Sequence, residues 1–193
     1  MTDLKFIEAA VDAQAERILD ANDRIWEYAE PPFKEMQSSA LLGRLLKEAG
    51  FTVETGLAGI PTCFTGTFVF GTGKPVMGIL GEYDALPGLS QEAALPVKKE
   101  REAGGFGHGC GHCVLGAASL AAEIAVKNYL EEFKKDGTII YFGCPAEEGA
   151  GSKQFMTRAG LFDNVDFVYT WHPSTVNRVA PSSSNAIMGA DFS

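Results

Sequence analysis

The 193-residue sequence lacks a long apolar run, a basic surplus and an export signal. A bilayer span needs roughly 18–20 apolar residues, and the nearest run, 115–126, is interrupted by Ser119 and Glu123. No membrane partner is therefore expected. The N-terminus has no basic start followed by an apolar stretch, which favours a cytoplasmic protein. Lysine and arginine number 16 against 25 acidic residues, a net charge of −9 that disfavours a nucleic-acid partner.

The composition is that of a globular domain with one unusual residue type. Apolar residues make up 46% of the chain and charged residues 21%, which is enough for the core of one domain. Four cysteines without an export signal are expected to be thiols or metal ligands and not a disulfide framework. Glycine is in excess, and the excess is concentrated at 104–111 and 149–151. Tight turns or close backbone approaches are expected there.

Hydrophobic periodicity predicts strands that alternate with helices after a helical N-terminal region. The predicted helices are 3–29, 35–49, 115–133 and 152–159, and the segment 81–113 is predicted as loop. The predicted strands are 51–53, 63–70, 75–80, 138–142 and 165–171, with a further strand-like stretch at 185–192. This alternation indicates an α/β fold with a largely parallel central sheet flanked by helices.

Acidic and imidazole side chains follow three of the predicted strands where each strand ends. They are Glu82 and Asp84 after 75–80, Glu147 and Glu148 after 138–142, and His172 after 165–171. A glycine-rich loop brings Cys110 and His112 to the start of the next helix. The carboxyl ends of strands form the ligand crevice of open α/β sheets. Carboxylate, imidazole and thiolate together are ligands of zinc and related divalent metals, so a metal site is predicted at this edge.

Each candidate residue also has a purely structural interpretation. Two adjacent glutamates in a loop usually form a solvated acidic turn. Glu147 and Glu148, however, follow a buried strand and precede glycines, which favours one of them as a metal ligand and the other as a general base. His108 is either a ligand or a residue that packs the loop, because the nearby glycines exclude a helix that would pair it with His112. His172 could be a core histidine, but its position before Pro173 favours a ligand.

The Cys110–Cys113 spacing leaves a second function open, that of a thiol–disulfide oxidoreductase. Thioredoxin-like dithiols follow directly from a strand, whereas a polar, glycine-rich segment precedes Cys110. Cys113 by itself is expected to be a buried thiol at the start of a helix. A third interpretation is an inactive remnant or an interaction domain. The glycine-rich loop does not contain the phosphate-binding pattern of nucleotide sites.

Four segments in order resemble the two-metal amidohydrolase and metallopeptidase family of aminoacylases, hippurate hydrolases and glutamate carboxypeptidases. The segments are 81–91 (GEYDALPGLSQ), 107–112 (GHGCGH), 145–149 (PAEEG) and 170–173 (TWHP). The branch they resemble most is that of aminobenzoyl-glutamate utilization protein B-like amidohydrolases. The resemblance implies a metallo-exopeptidase-like catalytic domain. It also implies two divalent ions, zinc or manganese, and a metal-activated water that cleaves an amide bond in a small substrate. That substrate would be an N-acyl amino acid, an aminobenzoyl-glutamate-like compound or a dipeptide.

The resemblance assigns roles to individual residues. The implied metal ligands are Cys110, His112, Glu148 and His172. Glu147 is implied as the general base, and Asp84 as the residue that orients a neighbouring ligand. Glu82 stands where many family members have a histidine ligand, so it is either a ligand or a support for one.

The resemblance also implies a domain organisation. In the family a lid or dimerisation domain interrupts the catalytic domain, which afterwards supplies one more histidine ligand. Residues 1–180 are accordingly expected to form the N-terminal part of the catalytic domain, and 181–193 to begin the inserted domain. On that basis the 193-residue chain alone is expected to be nearly inactive, and the full-length protein to be a homo-oligomer.

Overall fold

A computed structural model describes residues 3–176 of the chain. The strand-like segment 185–192 and the predicted start of a further domain at 181–193 lie outside the described residues.

The N-terminal region forms three helices where two were predicted. Helices α1 (Asp3–Asp12) and α2 (Ala15–Tyr28) together occupy the predicted helix 3–29, and α3 (Met36–Glu48) matches the second predicted helix. The break falls at Gln14, whose N–H bonds to the carbonyl of Val11 in a tighter turn. Because the apolar spacing continues across this turn, periodicity alone predicts one continuous helix here.

Five described strands form one sheet in the order β1-β2-β4-β3-β5. They are β1 (Thr52–Thr55), β2 (Phe64–Phe70), β3 (Val76–Glu82), β4 (Gly137–Cys144) and β5 (Phe167–Tyr169). Strand β2 pairs antiparallel with β1 and β4, whereas β3 pairs parallel with β4 and β5. Every strand except β2 therefore runs in one direction. This mostly parallel sheet flanked by helices confirms the predicted fold class.

The sheet lies between two apolar clusters. Helices α2, α3 and α4 (His112–Phe133) cover one face, and their larger cluster includes Ile25, Leu42, Leu120 and Tyr141. The short helix α5 (Ser152–Arg158) covers the other face through Met156. Among the described strands, β5 lies at the edge of the sheet with three exposed residues and is not the central strand that the apolar run 165–171 predicted. A run of apolar residues cannot by itself distinguish a central strand from an exposed edge.

Helix α4 starts at His112, earlier than the predicted start at 115, because Gly111 adopts the left-handed conformation (φ 78°) that turns the loop into the helix. By length and composition this 22-residue helix could cross a membrane, but 61% of its most apolar window is buried inside the domain. It packs against the sheet in the manner of a core helix. Gly116 has no side chain to block this approach, since a Cβ there would lie 2.7 Å from the carbonyl oxygen of Glu82.

The carboxylate of Glu123 is fully buried in α4, and neither oxygen has a hydrogen-bond partner among the described residues. Burial raises the pKa of this carboxyl well above its ordinary value. The folded protein therefore keeps the proton at pH values where the unfolded chain, with a pKa of about 4.3, has lost it. Stability is lost as the pH rises through this window.

We therefore expect Glu123→Met to raise the free energy of unfolding by about 1–3 kcal/mol near neutral pH, because it removes an unpaired buried group. The gain should shrink towards pH 4, where Glu123 is protonated in both states. Urea denaturation at a series of pH values measures this gain. Glu132→Met, at an exposed position in the same helix, should change stability by less than about 0.5 kcal/mol. A gain at Glu123 that does not depend on pH would contradict the account.

Candidate metal centre

The predicted site residues come together where β3 and β4 end side by side. The register pairs Glu82 at the end of β3 with Cys144 at the end of β4, so the loops that follow start from one edge of the sheet. Helix α4 begins at the same edge with His112. Side chains that follow β3, follow β4 and begin α4 can therefore meet, although these segments are far apart in the sequence.

His112 is the centre of the cluster and is fully buried. Its Nδ1 lies 2.9 Å from Asp84 Oδ1, and its Nε2 lies 3.0 Å from Glu82 Oε2. The same Nε2 is 3.8 Å from a carboxylate oxygen of each of Glu147 and Glu148. Burial disfavours the charged imidazole, but the Asp84 and Glu82 carboxylates outweigh it and raise the pKa of His112 to about 10.

Cys110 and His172 form the exposed side of the cluster. Cys110 Sγ lies 3.0 Å from His172 Nε2, while His172 Nδ1 faces the carbonyl oxygen of Pro173 at 2.9 Å. Burial, followed by the nearby Glu148 and Glu147 carboxylates, raises the pKa of the Cys110 thiol to about 12. The surroundings therefore oppose a further negative charge at the sulfur unless a cation is bound.

The loop after β4 carries the two glutamates in a constrained backbone. Ala146, directly before Glu147, has a positive φ of 50°, which costs an L-residue about 1–2 kcal/mol. The N–H of Glu148 donates to Asp84 Oδ2 at 2.9 Å. Burial, followed by repulsion from Glu82, raises the pKa of the Glu147 carboxyl. A partly exposed carboxyl with a raised pKa is suited to accept and return a proton.

The predicted division of roles between the two glutamates is not decided by geometry. Glu147 groups with Glu82 and His112, whose ligand atoms all lie within 4.8 Å of one another. Glu148 is the less exposed of the two side chains, at 20% against 39%. Its buried Oε1 has no hydrogen-bond partner within residues 3–176. Both carboxylates could therefore hold a cation.

His108 does not join either group of potential ligands. Its Nε2 faces the carbonyl oxygen of Ile25 at 2.9 Å, and burial lowers its pKa to about 4. A neutral imidazole that hydrogen-bonds to the end of α2 ties the glycine-rich loop to that helix. Of the two roles that the sequence allowed for His108, metal ligand or loop-packing residue, the structure shows the loop-packing position.

The cysteine arrangement does not favour a redox dithiol. Cys110 and Cys113 are both free thiols, and Cys113 is buried in the first turn of α4. Burial raises the pKa of Cys113, and the pKa of Cys110 is raised as well. Redox dithiols instead need one thiol with a lowered pKa.

Two residues at the site were missed by the sequence analysis. The Lys153 ammonium, in the first turn of α5, pairs with Glu82, and this pairing together with His112 lowers the pKa of Glu82 despite its burial. The buried Glu35 carboxylate accepts the N–H of Ala146 at 2.8 Å. Glu35 is far from every site motif, and although Lys153 follows the 145–149 motif by four residues, a lysine or glutamate in a predicted helix is normally solvated.

The donor set fits a divalent cation. The ligand atoms of Cys110, His112 and His172 lie within 4.8 Å of one another, and the second group shares His112 with Glu82 and Glu147. His112 Nε2 is buried without a well-formed hydrogen bond among the described residues, while Asp84 holds Nδ1. A carboxylate that orients the histidine through one nitrogen, while the other nitrogen gives up its proton to a cation, is the usual arrangement of a metal-ligating histidine. Fold and site together define an α/β domain with a set of side chains at the carboxyl edge of its sheet that could hold a divalent cation.

Comparison with known proteins identifies the family. The model of peptidase family M20/M25/M40 matches residues 78–183, more than half of the chain. The chain is 47% identical over 169 residues to one of the subunits of p-aminobenzoyl-glutamate hydrolase from Escherichia coli. That match covers 88% of this chain and 35% of the relative. The chain belongs to peptidase family M20/M25/M40, and the resemblance seen in its four motifs is confirmed.

Two further proteins are similar to the chain, one in sequence and one in fold. The human Xaa-Arg dipeptidase is 29% identical over 182 residues, which cover 86% of this chain and 38% of the dipeptidase. The crystal structure of a dinuclear metal-binding M20 peptidase from Bacillus subtilis superposes with a TM-score of 0.67 at 22% identity. It aligns with 84% of this chain and 44% of its own. The chain thus spans little more than a third of the length of these curated relatives.

Proposed function

We propose that the protein is a metal-dependent amidohydrolase and that this chain supplies much of its metal centre and its general base. The observation that carries the proposal is the meeting of Cys110, His112 and His172 with Glu82 and Glu147 at one sheet edge. Thiolate and imidazole favour zinc, whereas carboxylates suit zinc and manganese equally. We therefore propose a pair of divalent ions, zinc or manganese, as the cofactor.

In the proposed centre, Cys110, His112, Glu148 and His172 hold the metal. Divalent ions bound there would polarise the substrate carbonyl and lower the pKa of a water molecule towards neutrality. Asp84 Oδ1 keeps the His112 ring in one orientation through Nδ1. Asp84 Oδ2 accepts the N–H of Glu148 and so also holds the loop that carries the two glutamates.

Glu147 is proposed to move the proton during hydrolysis. Its carboxylate accepts a proton from the attacking water and then delivers it to the nitrogen of the departing amine. The raised pKa of Glu147 brings its proton affinity closer to the range in which one group can serve both as base and as acid. The half-exposed side chain at the rim of the cluster leaves space for a substrate amide beside it.

The proposed substrates are small amides that end in an amino acid. The relatives include part of a p-aminobenzoyl-glutamate hydrolase and an Xaa-Arg dipeptidase. These names support an N-acyl amino acid, an aminobenzoyl-glutamate-like compound or a dipeptide. A cytoplasmic location and a homo-oligomeric state stay predictions from the sequence.

Hydrolysis in the presence and absence of metal tests the proposal. Purified chain at high concentration is incubated with p-aminobenzoyl-glutamate, an N-acetyl amino acid and an Xaa-Arg dipeptide. We expect slow release of the free amino acid that stops on chelation and returns with zinc or manganese. Catalysis that persists in the metal-free chain would contradict the proposal.

A further inference from the structure

Glu35 lies in the connection between α2 and α3, and its buried carboxylate accepts hydrogen bonds from this connection and from two distant segments. Its Oε1 accepts the N–H groups of Phe33 and Ala146, each at 2.8 Å. Its Oε2 accepts the hydroxyl of Thr62 at 2.9 Å. These hydrogen bonds connect the α2–α3 connection, the segment at Thr62 and the loop after β4 through one side chain.

The two backbone N–H groups that donate hydrogen bonds to Glu35 Oε1 belong to strained residues. Phe33 has a φ of 63° and Ala146 a φ of 50°, both in the left-handed region that L-residues rarely adopt. Such conformations persist only where the surroundings fix them. The Glu35 carboxylate supplies that restraint for Ala146, which directly precedes Glu147.

The far side of Glu147 is held in the same way. The N–H of Glu148 donates to Asp84, so buried carboxylates hold the backbone both before and after Glu147. Thr62 extends the network towards β3, because its carbonyl oxygen accepts the hydroxyl of Tyr83 at 2.7 Å. Tyr83 stands between Glu82 and Asp84 in the sequence.

We propose that Glu35 is a positioning residue that clamps the backbone at Ala146 and thereby directs Glu147 and Glu148 into the metal centre. The role of the two glutamates rests on the proposed function, whereas the clamp itself is a property of the backbone. Glu35 need not touch metal or substrate. Its removal should therefore loosen the loop and weaken metal binding together.

The test combines amide hydrogen exchange with zinc titration on the 193-residue chain. In Glu35→Ala we expect exchange at the Ala146 amide to accelerate by about tenfold or more, because the hydrogen bond that holds this amide is lost. Zinc affinity should fall by about 10- to 100-fold, as for other groups that orient metal ligands. If this variant does not fold, Glu35→Asp is used with the same readouts, because its shorter side chain cannot reach all three donors.

Two variants separate positioning from general loosening of the fold. Glu35→Gln keeps an oxygen for the Phe33 and Ala146 amides, and it should restore exchange and zinc affinity to nearly the wild-type values. Glu30 is a matched control because it is a buried carboxylate in the same connection. Among the described residues it accepts the N–H groups of Gln37 and Ser38 and makes no hydrogen bond to the glutamate loop. Glu30→Ala should leave the Ala146 amide and zinc affinity unchanged.

The outcomes also distinguish the clamp from the proposed function. The clamp is overturned if folded Glu35→Ala or Glu35→Asp exchanges and binds zinc like the wild type while Glu148→Gln loses affinity. It is equally overturned if Glu30→Ala reproduces both effects. If Glu148→Gln leaves zinc affinity unchanged, the proposed metal site fails, and the exchange at Ala146 alone decides on the clamp.

Discussion

Replacing His112 with alanine should lower the affinity of the chain for zinc by more than about 100-fold, beyond the loss typical of groups that only orient a ligand. His112 belongs to both groups of potential ligands, so its removal takes a nitrogen from each. Asp84 on one side of the ring and the carboxylates of Glu82, Glu147 and Glu148 on the other would then lie close together without the imidazole between them. Isothermal titration calorimetry with zinc, at a pH where the wild type binds, measures the loss.

His108 offers a matched control four residues earlier in the same loop. His108→Gln keeps a side-chain N–H for the carbonyl oxygen of Ile25, and it should bind zinc like the wild type. Both variants should be checked for a cooperative thermal transition, because His112 is fully buried. Equal losses in the two variants would show that the loop as a whole, and not His112, determines the affinity.

The second large effect is expected at Glu147. In Glu147→Gln the slow metal-dependent amide hydrolysis should fall below detection, because a general base usually contributes about 10²- to 10⁴-fold to the rate. Zinc affinity should fall by much less, because glutamine removes the proton acceptor while Cys110, His112, Glu148 and His172 remain. Steady-state rates and zinc titrations on the same preparation separate the two effects.

Glu148→Gln is the companion experiment, because the two side chains lie at the same 3.8 Å from His112 Nε2. We expect it to weaken zinc binding first and to lose activity as a consequence, which excess zinc partly restores. If the pattern is reversed, with Glu147→Gln losing zinc and Glu148→Gln losing only rate, the two roles must be exchanged.

The fold class followed from the sequence because its signals are local. The apolar runs at 75–80 and 138–142 correspond to β3 and β4, the two strands whose ends carry the site. The tight turn at Gln14 left no mark in the apolar spacing. The position of β5 at the edge depends on which strands pair, and a three-residue strand carries no information about its neighbours.

The site followed from the sequence only as far as its motifs reach. The two glutamates follow a strand, and Cys110 and His112 stand in a glycine-rich loop before a helix. Those placements predicted that the four side chains converge on one edge of the sheet. Lys153 and Glu35 reach the site through tertiary contacts across 71 and 111 residues of sequence. No spacing rule covers such contacts, so their participation becomes visible only in three dimensions.

Zinc K-edge X-ray absorption of the zinc-loaded chain tests most directly whether this sheet edge is a metal centre. We expect nitrogen or oxygen neighbours near 2.0–2.1 Å together with one sulfur neighbour at about 2.3 Å. The sulfur contribution should disappear in Cys110→Ser and persist in Cys113→Ser, since Cys113 is buried in α4 outside both ligand groups. A sulfur shell that survives Cys110→Ser, or zinc surrounded only by water oxygens, would contradict the assignment.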